Sequence, residues 1–410
     1  MATLFYGPAM PFPTGLRALN HRDFRRWYLA ALVSQVGTWM QSVAQAWLVL
    51  QLTNSPLLLG LIGTLQWGPM LFLALVSGAI ADRLPKRRLL MATQAAMGGQ
   101  ALILGTLAAT GHVRYWHIGL LALVAGVANA LDNPARQSFN ADLVGRDDVV
   151  NAVALNSAAF NSARIVGPAA AGLLIGRWGV VPAFFINGVS FLVVLVALAT
   201  VRVEGRSRAG TRRSIAQEIR EGLDYALRTP RIRQVLAVLL VVSFCVFNFS
   251  VYVPLLARTV LGLGAEGFGF LMASVGVGAV AGALTLGIFV SRQPPLAVLF
   301  GAAAVACAGL IGIAAVRQFE LAVPLLFIVG FAGIVAVAGC NTALQINAPD
   351  ALRGRVMSIY TLIFGGSFPI ASIVIGALSE RWGVSTAFLA AGITGLTSLM
   401  IVLIARRLTT

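Results

Sequence analysis

The chain has 410 residues, of which 58% are hydrophobic and only 11% charged, against about 25% charged in a soluble domain. With a mean hydropathy of +0.87, these values exclude a soluble globular fold and leave room for about twelve membrane spans at about 20 apolar residues each. The net charge of +16 does not mark a nucleic-acid binder, because the bases sit in short turns and not on one amphipathic surface. Cys245, Cys307 and Cys340 all fall in apolar runs, so no disulfide framework is expected. Three scattered histidines have no ligand spacing, so neither a metal nor a cofactor is expected.

Residues 1–26 read as a basic tail with no cleavable signal pattern. The first span is expected over 24–51. Its polar residues Gln35, Thr38, Ser42 and Gln45 recur in steps of three and four, which puts them on one face turned to a cavity or to neighbouring helices. The second span, over 56–81, runs into a dense charged turn, Gly78-x3-Asp82-Arg83-x2-Lys86-Arg87, and the third span, over 87–109, follows at once. Asp82 would end its helix against the macrodipole unless another group holds it, and the Arg83 fork can grip a carboxylate. A plain topology signal in a cytoplasmic loop would also place bases here.

The fourth span is expected over 116–132, closed by Asp132 and Arg136 at i,i+4 spacing. Asp132 would pair with Arg83 from the neighbouring turn, or only with Arg136. The fifth span, over 149–175, carries Asn156, Asn161 and Arg164 well inside, then Gly167-Pro168-x3-Gly172. A charge this deep should face protein or water, and the glycine–proline run should kink the helix and admit a close neighbour. A sixth span is expected over 181–201.

Residues 203–233 form the long soluble connector. Ile215, Ile219, Leu223, Ala226 and Leu227 give it one apolar helical face, as in a helix lying on the membrane surface. Spans then follow over 234–256, 267–290, 296–316, 322–347, 356–379 and 386–405. Arg177-Trp178-Gly179-Val180 recurs half a chain later as Arg381-Trp382-Gly383-Val384. Gly172 maps onto Gly376, and the charged turn has a worn copy at Gly287-x3-Ser291-Arg292. The organisation read from this is a six-helix half over 1–202, a linker over 203–233 and a second six-helix half over 234–410.

The charged turn resembles the signature between the second and third helices of the major facilitator superfamily, with Pro85 where that signature has glycine. The run at Gly167-Pro168 resembles, in shortened form, the fifth-helix signature of the superfamily's exporters. Around Pro134-Ala135-Arg136-Gln137 and Ala163-Arg164-Ile165 the wording is most similar to the branch holding bacterial siderophore exporters and multidrug efflux pumps. The resemblance implies an all-α polytopic membrane protein, with twelve transmembrane helices in two six-helix pseudo-repeats. It also implies alternating access about a central site on helices 1, 4, 7 and 10, and proton antiport as the energy source.

Polar residues in apolar runs then supply the candidates for substrate contact: Gln35, Gln41, Asn129, Arg164, Asn248, Tyr252 and Asn341. The conformational latch would comprise Gly78, Asp82, Arg83, Lys86, Arg87, Asp132 and Arg136, and helix packing would fall to Gly167, Pro168 and Gly172. The expected partners are a small amphipathic drug-like or siderophore-like substrate, the lipid bilayer and protons. A monomer in the bacterial inner membrane is expected, with both termini cytoplasmic. Of the 30 lysines and arginines, this topology leaves only Arg114, Arg177, Arg258, Arg317 and Arg381 outside and Arg164 within the membrane, as the positive-inside rule asks. Yet no carboxylate stands near the middle of any predicted span, so a facilitated uniporter or a lipid or metabolite transporter remains an alternative. A membrane-embedded transferase would need an acid beside His112 or His117. None is there, and the chain has no phosphate-binding loop, so it is not read as an enzyme.

Overall fold

The computed structural model describes residues 13–203, 215–289 and 293–409. After a 3-10 turn at Thr14–Asn20, the helices are α1 (Arg22–Thr53), α2 (Pro56–Arg83), α3 (Lys86–Ala109), α4 (Tyr115–Trp178), α5 (Val181–Thr200), α6 (Ile215–Arg228) and α7 (Pro230–Cys245). They continue as α8 (Phe249–Leu255), α9 (Ala265–Phe289), α10 (Leu296–Ala315), α11 (Phe319–Asn347), α12 (Asp350–Trp382) and α13 (Val384–Thr409). Among the described residues, 10 segments are long and apolar enough to cross a bilayer. Helices α1 and α3 complete a set of twelve. Each exceeds 20 residues, and their hydropathy is lowered by side chains turned inward: Ser34, Gln41 and Gln45 on α1, and Thr93, Gln94 and Gln100 on α3, are all buried. The outer surface is apolar instead, with Leu192, Val196 and Ile401 about half or more exposed, as helices in hydrocarbon require.

Two boundaries differ from the sequence reading. The fourth span does not close at Asp132. Helix α4 continues past Pro134 to Gly145, whose φ of +72° breaks it before the fifth span begins. Proline costs one backbone bond, but the added turns are fastened to their neighbours: Trp27 donates to Asn140 at 2.6 Å and Lys86 to Asp142 at 2.6 Å. The seventh span is also broken. The Val246 and Phe247 amides both bond to the Val242 carbonyl, and Asn248 leaves helical geometry at φ −91°, ψ 43°. The chain then resumes as α8 and a π-helical turn, Leu256–Val260.

The repeat is visible in three dimensions. Gly179 and Gly383 end their helices at φ +77° and +86°, values that favour glycine. Arg177 lies over Trp178 and Arg381 over Trp382. Helices α1 to α5 pack as one bundle and α7 to α13 as another. The two bundles meet along two seams, α2 with α12 and α4 with α9. The seams lie toward the end of the molecule opposite the Lys86 turn. Below, the end carrying that turn is the basic end, and the opposite one the far end.

Candidate functional site

Both seams are built on backbone crossings. A Cβ on Gly376 would fall 2.7 Å from the Pro56 carbonyl, and one on Gly172 would fall 2.6 Å from the Gly269 Cα. The two repeat-related glycines thus occupy equivalent places in the two seams. Hydrogen bonds cross the first seam: Thr64 donates to the Pro369 carbonyl at 2.7 Å, and Glu380 accepts from the Ser55 hydroxyl and the Leu57 amide at the start of α2. Trp47 of α1 stacks on Phe268 of α9 at 5.9 Å, and the Arg258 guanidinium lies over the Trp47 ring at 5.6 Å. The second seam reaches as far down as Gly276, which packs on the Arg164 carbonyl.

One strip of α4 records where the gap between the bundles opens. Val150, Ser157, Arg164 and Ala171 recur every seven residues and so share a face. Val150 is 78% exposed, Ser157 is exposed, Arg164 is half-buried and Ala171 is 0% exposed. The opposite face carries Val166 and Leu173, exposed apolar side chains suited to lipid. Arg164 therefore stands at the level where this face passes from exposed, toward the basic end, to fully covered beyond it. Among the described residues its side chain makes no hydrogen bond or ion pair. Gly167 packs on Trp39 and Met40, which sets half-buried Gln35 at the same depth on α1.

The other candidates separate. Asn129 is exposed and Asn341 half-buried, where it accepts from Gln345. Gln41 is 6% exposed and spent inside the first bundle: it donates to Gln100 at 3.1 Å and accepts from Asn187 at 2.6 Å. Gln45 donates to Gln66, and Thr38 bonds its own helix. Asn248 and Tyr252 are fully buried at the α7–α8 break. Asn248 accepts from Ser372 at 2.7 Å, while its amide nitrogen and the Tyr252 hydroxyl have no hydrogen-bond partner among the described residues. Asn187, the one amide in the sixth span, could have been singled out from sequence on that ground.

At the basic end, Asp132 is 3% exposed and fully engaged. Its Oδ1 accepts from Thr93 at 2.8 Å and Gln94 at 2.7 Å, and its Oδ2 from Arg136 at 2.8 Å; Arg136 in turn lies over Trp27. The pairing within the helix is present; the alternative with Arg83 falls on a side chain outside the described residues. Lys86 is buried against Asp142, and Arg87 donates to the Leu198 and Ala199 carbonyls in the last turn of α5, where a cation suits the dipole. Arg17 and His21 both reach Asp148 at the start of the fifth span. Gly78, the side chains of Asp82, Arg83 and Asn161, and the worn copy at Ser291-Arg292 lie outside the described residues.

Residues 13–409 match the family described as transmembrane secretion effector. The chain belongs to this family of the major facilitator superfamily. It is 26% identical to the multidrug efflux pump Tap of Mycolicibacterium fortuitum, covering 88% of this chain and 90% of that one. It is 24% identical to the staphyloferrin A transporter of Staphylococcus aureus, over 88% and 90%. The enterobactin exporter EntS of Shigella boydii is 26% identical over 88% and 86%. Among solved structures, a bacterial homologue of the lysosomal transporter Spinster, captured inward-facing and occupied, superposes with a TM-score of 0.76 at 13% identity, covering 95% of this chain and 97% of that one. The superfamily member is thus a multi-pass membrane transporter of small molecules, not an enzyme.

Proposed function

We infer that this transporter exports a small amphipathic molecule from a bacterial cell by alternating access, with its basic end and both termini in the cytoplasm. The carrying observation is the exposure gradient along Val150, Ser157, Arg164 and Ala171. A cavity open at one end and sealed at the other is one of the two states such a mechanism needs. The halves that rock would be residues 1–202 and 234–410, joined by the 203–233 linker. Substrate contact falls to Arg164, Gln35, Asn129 and Asn341, all at least partly exposed, and less readily to Gln41, whose amide is already spent. The Lys86, Arg87, Asp132 and Arg136 cluster holds the first half rigid. The named relatives support a drug-like or siderophore-like substrate. The resemblance also brings proton antiport; the carboxylate nearest the middle of a span, Asp132, is already paired with Arg136.

Uptake into inverted vesicles of ethidium and of a radiolabelled iron-free siderophore tests the reading. At least one should accumulate above vesicles carrying Gly172→Val. Uptake of both equal to that of empty vesicles would sink it.

A further inference from the structure

The cavity's charge is fixed by the chain, whatever passes through it. Among the 14 acidic residues, those placed in spans stand in first or last turns, apart from Asp132 and Asp142, which Arg136 and Lys86 neutralise. Arg164 is different. It sits about midway along the fifth span, on the face that lines the cavity, and has no hydrogen-bond or ion-pair partner among the described residues. A guanidinium at that depth needs a counter-charge or water, and its planar fork fits a carboxylate or similar oxyanion in bidentate fashion. Gln35 at the same level adds an amide that can bond the remaining oxygens.

Resting on the export reading above, we propose that the site takes an anionic substrate, a small molecule bearing a carboxylate or comparable oxyanion that pairs with Arg164, and that its export follows the membrane potential. A cation would meet this guanidinium with no acid nearby to offset it. An anion leaving an inside-negative cell is carried downhill, with a bias of about fifty-fold per charge for each 100 mV. No proton-coupling carboxylate is then required, and the two carboxylates placed away from the ends of their helix, Asp132 and Asp142, are already paired with Arg136 and Lys86.

The test uses the purified full chain, with carboxyfluorescein as the anionic probe and ethidium as the cationic one. Fluorescence anisotropy should show wild type binding carboxyfluorescein in preference to ethidium. Arg164→Gln should weaken it about tenfold or more and Arg164→Lys less, with melting temperatures establishing that the variants are folded. In proteoliposomes at equal pH on both sides, a valinomycin potassium potential negative inside should drive carboxyfluorescein out, and reversing its sign should reverse the flux. Preference for ethidium, binding of neither dye, or an Arg164→Gln variant that binds like wild type overturns the anion site. Flux indifferent to the potential overturns the driving force. Should carboxyfluorescein bind in an Arg164-dependent way while neither dye crosses, the anion site stands and the export reading falls. Should ethidium alone cross, the export reading stands and the anion site falls.

Discussion

Asp132 illustrates how much a single side chain does when it is buried among donors. Thr93, Gln94 and Arg136 all point at its two oxygens. Removing the carboxylate leaves a half-buried guanidinium and two polar groups without an acceptor, a loss of about 3 kcal/mol for a pair this enclosed. Asp132→Ala is therefore expected to melt well below wild type in a thermal shift measured in detergent, with Asp132→Asn between them. A melting curve unchanged by the alanine would show that the cluster contributes nothing. The i,i+4 spacing of this pair was legible in the sequence, because one helix fixes it. Its partners on α3 were not, since nothing in a single strand of sequence says which neighbour faces which. The same limit applies to Gln41: a polar residue in an apolar run made it a candidate for substrate contact, and only the packing of α3 and α5 reveals Gln100 and Asn187 waiting for it.

The elements were more readable than the side chains. Length and hydropathy placed nearly every span within a few residues, because hydrocarbon thickness leaves little choice. Two breaks escaped. The charged pair Asp132 and Arg136 invited an early end to the fourth span, whereas Gly145 is where the backbone turns. The break at Val246-Phe247-Asn248 contains neither glycine nor proline, so composition gave no warning of it. Gly172 was legible as a packing residue, though not which helix it meets. Its contact with Gly269 makes a sharp expectation. Gly172→Val wedges the second seam apart at the far end and should bias the molecule away from the state described here. The readout is a Val150→Cys label: applied from the basic end, a maleimide should react several-fold more slowly in the Gly172→Val background. Equal rates would mean that the seam tolerates the bulk.

For the molecule as a whole, the repeat in the sequence announced the repeat in space, down to the paired glycine caps and Arg-over-Trp contacts. Its orientation can be checked directly. The native cysteines are all buried, so an engineered cysteine reports alone. Leu84→Cys should be labelled only from the cytoplasm and Gly111→Cys only from outside; labelling of both from one side would end the twelve-span topology. Helix α6 belongs mechanically to the second bundle, since it packs on α7 and α12 and its Glu221 pairs with Arg355. Finally, the far-end closure has a kinetic consequence. Smooth backbone surfaces at Gly60, Gly172, Gly269 and Gly376 carry no side chains to disengage, so parting them requires no rotamer changes along the glycine crossings. Opening there is a slide of rigid helices against low friction, and the pace of each cycle is left to the few polar fasteners, Thr64 and Glu380, that must let go first.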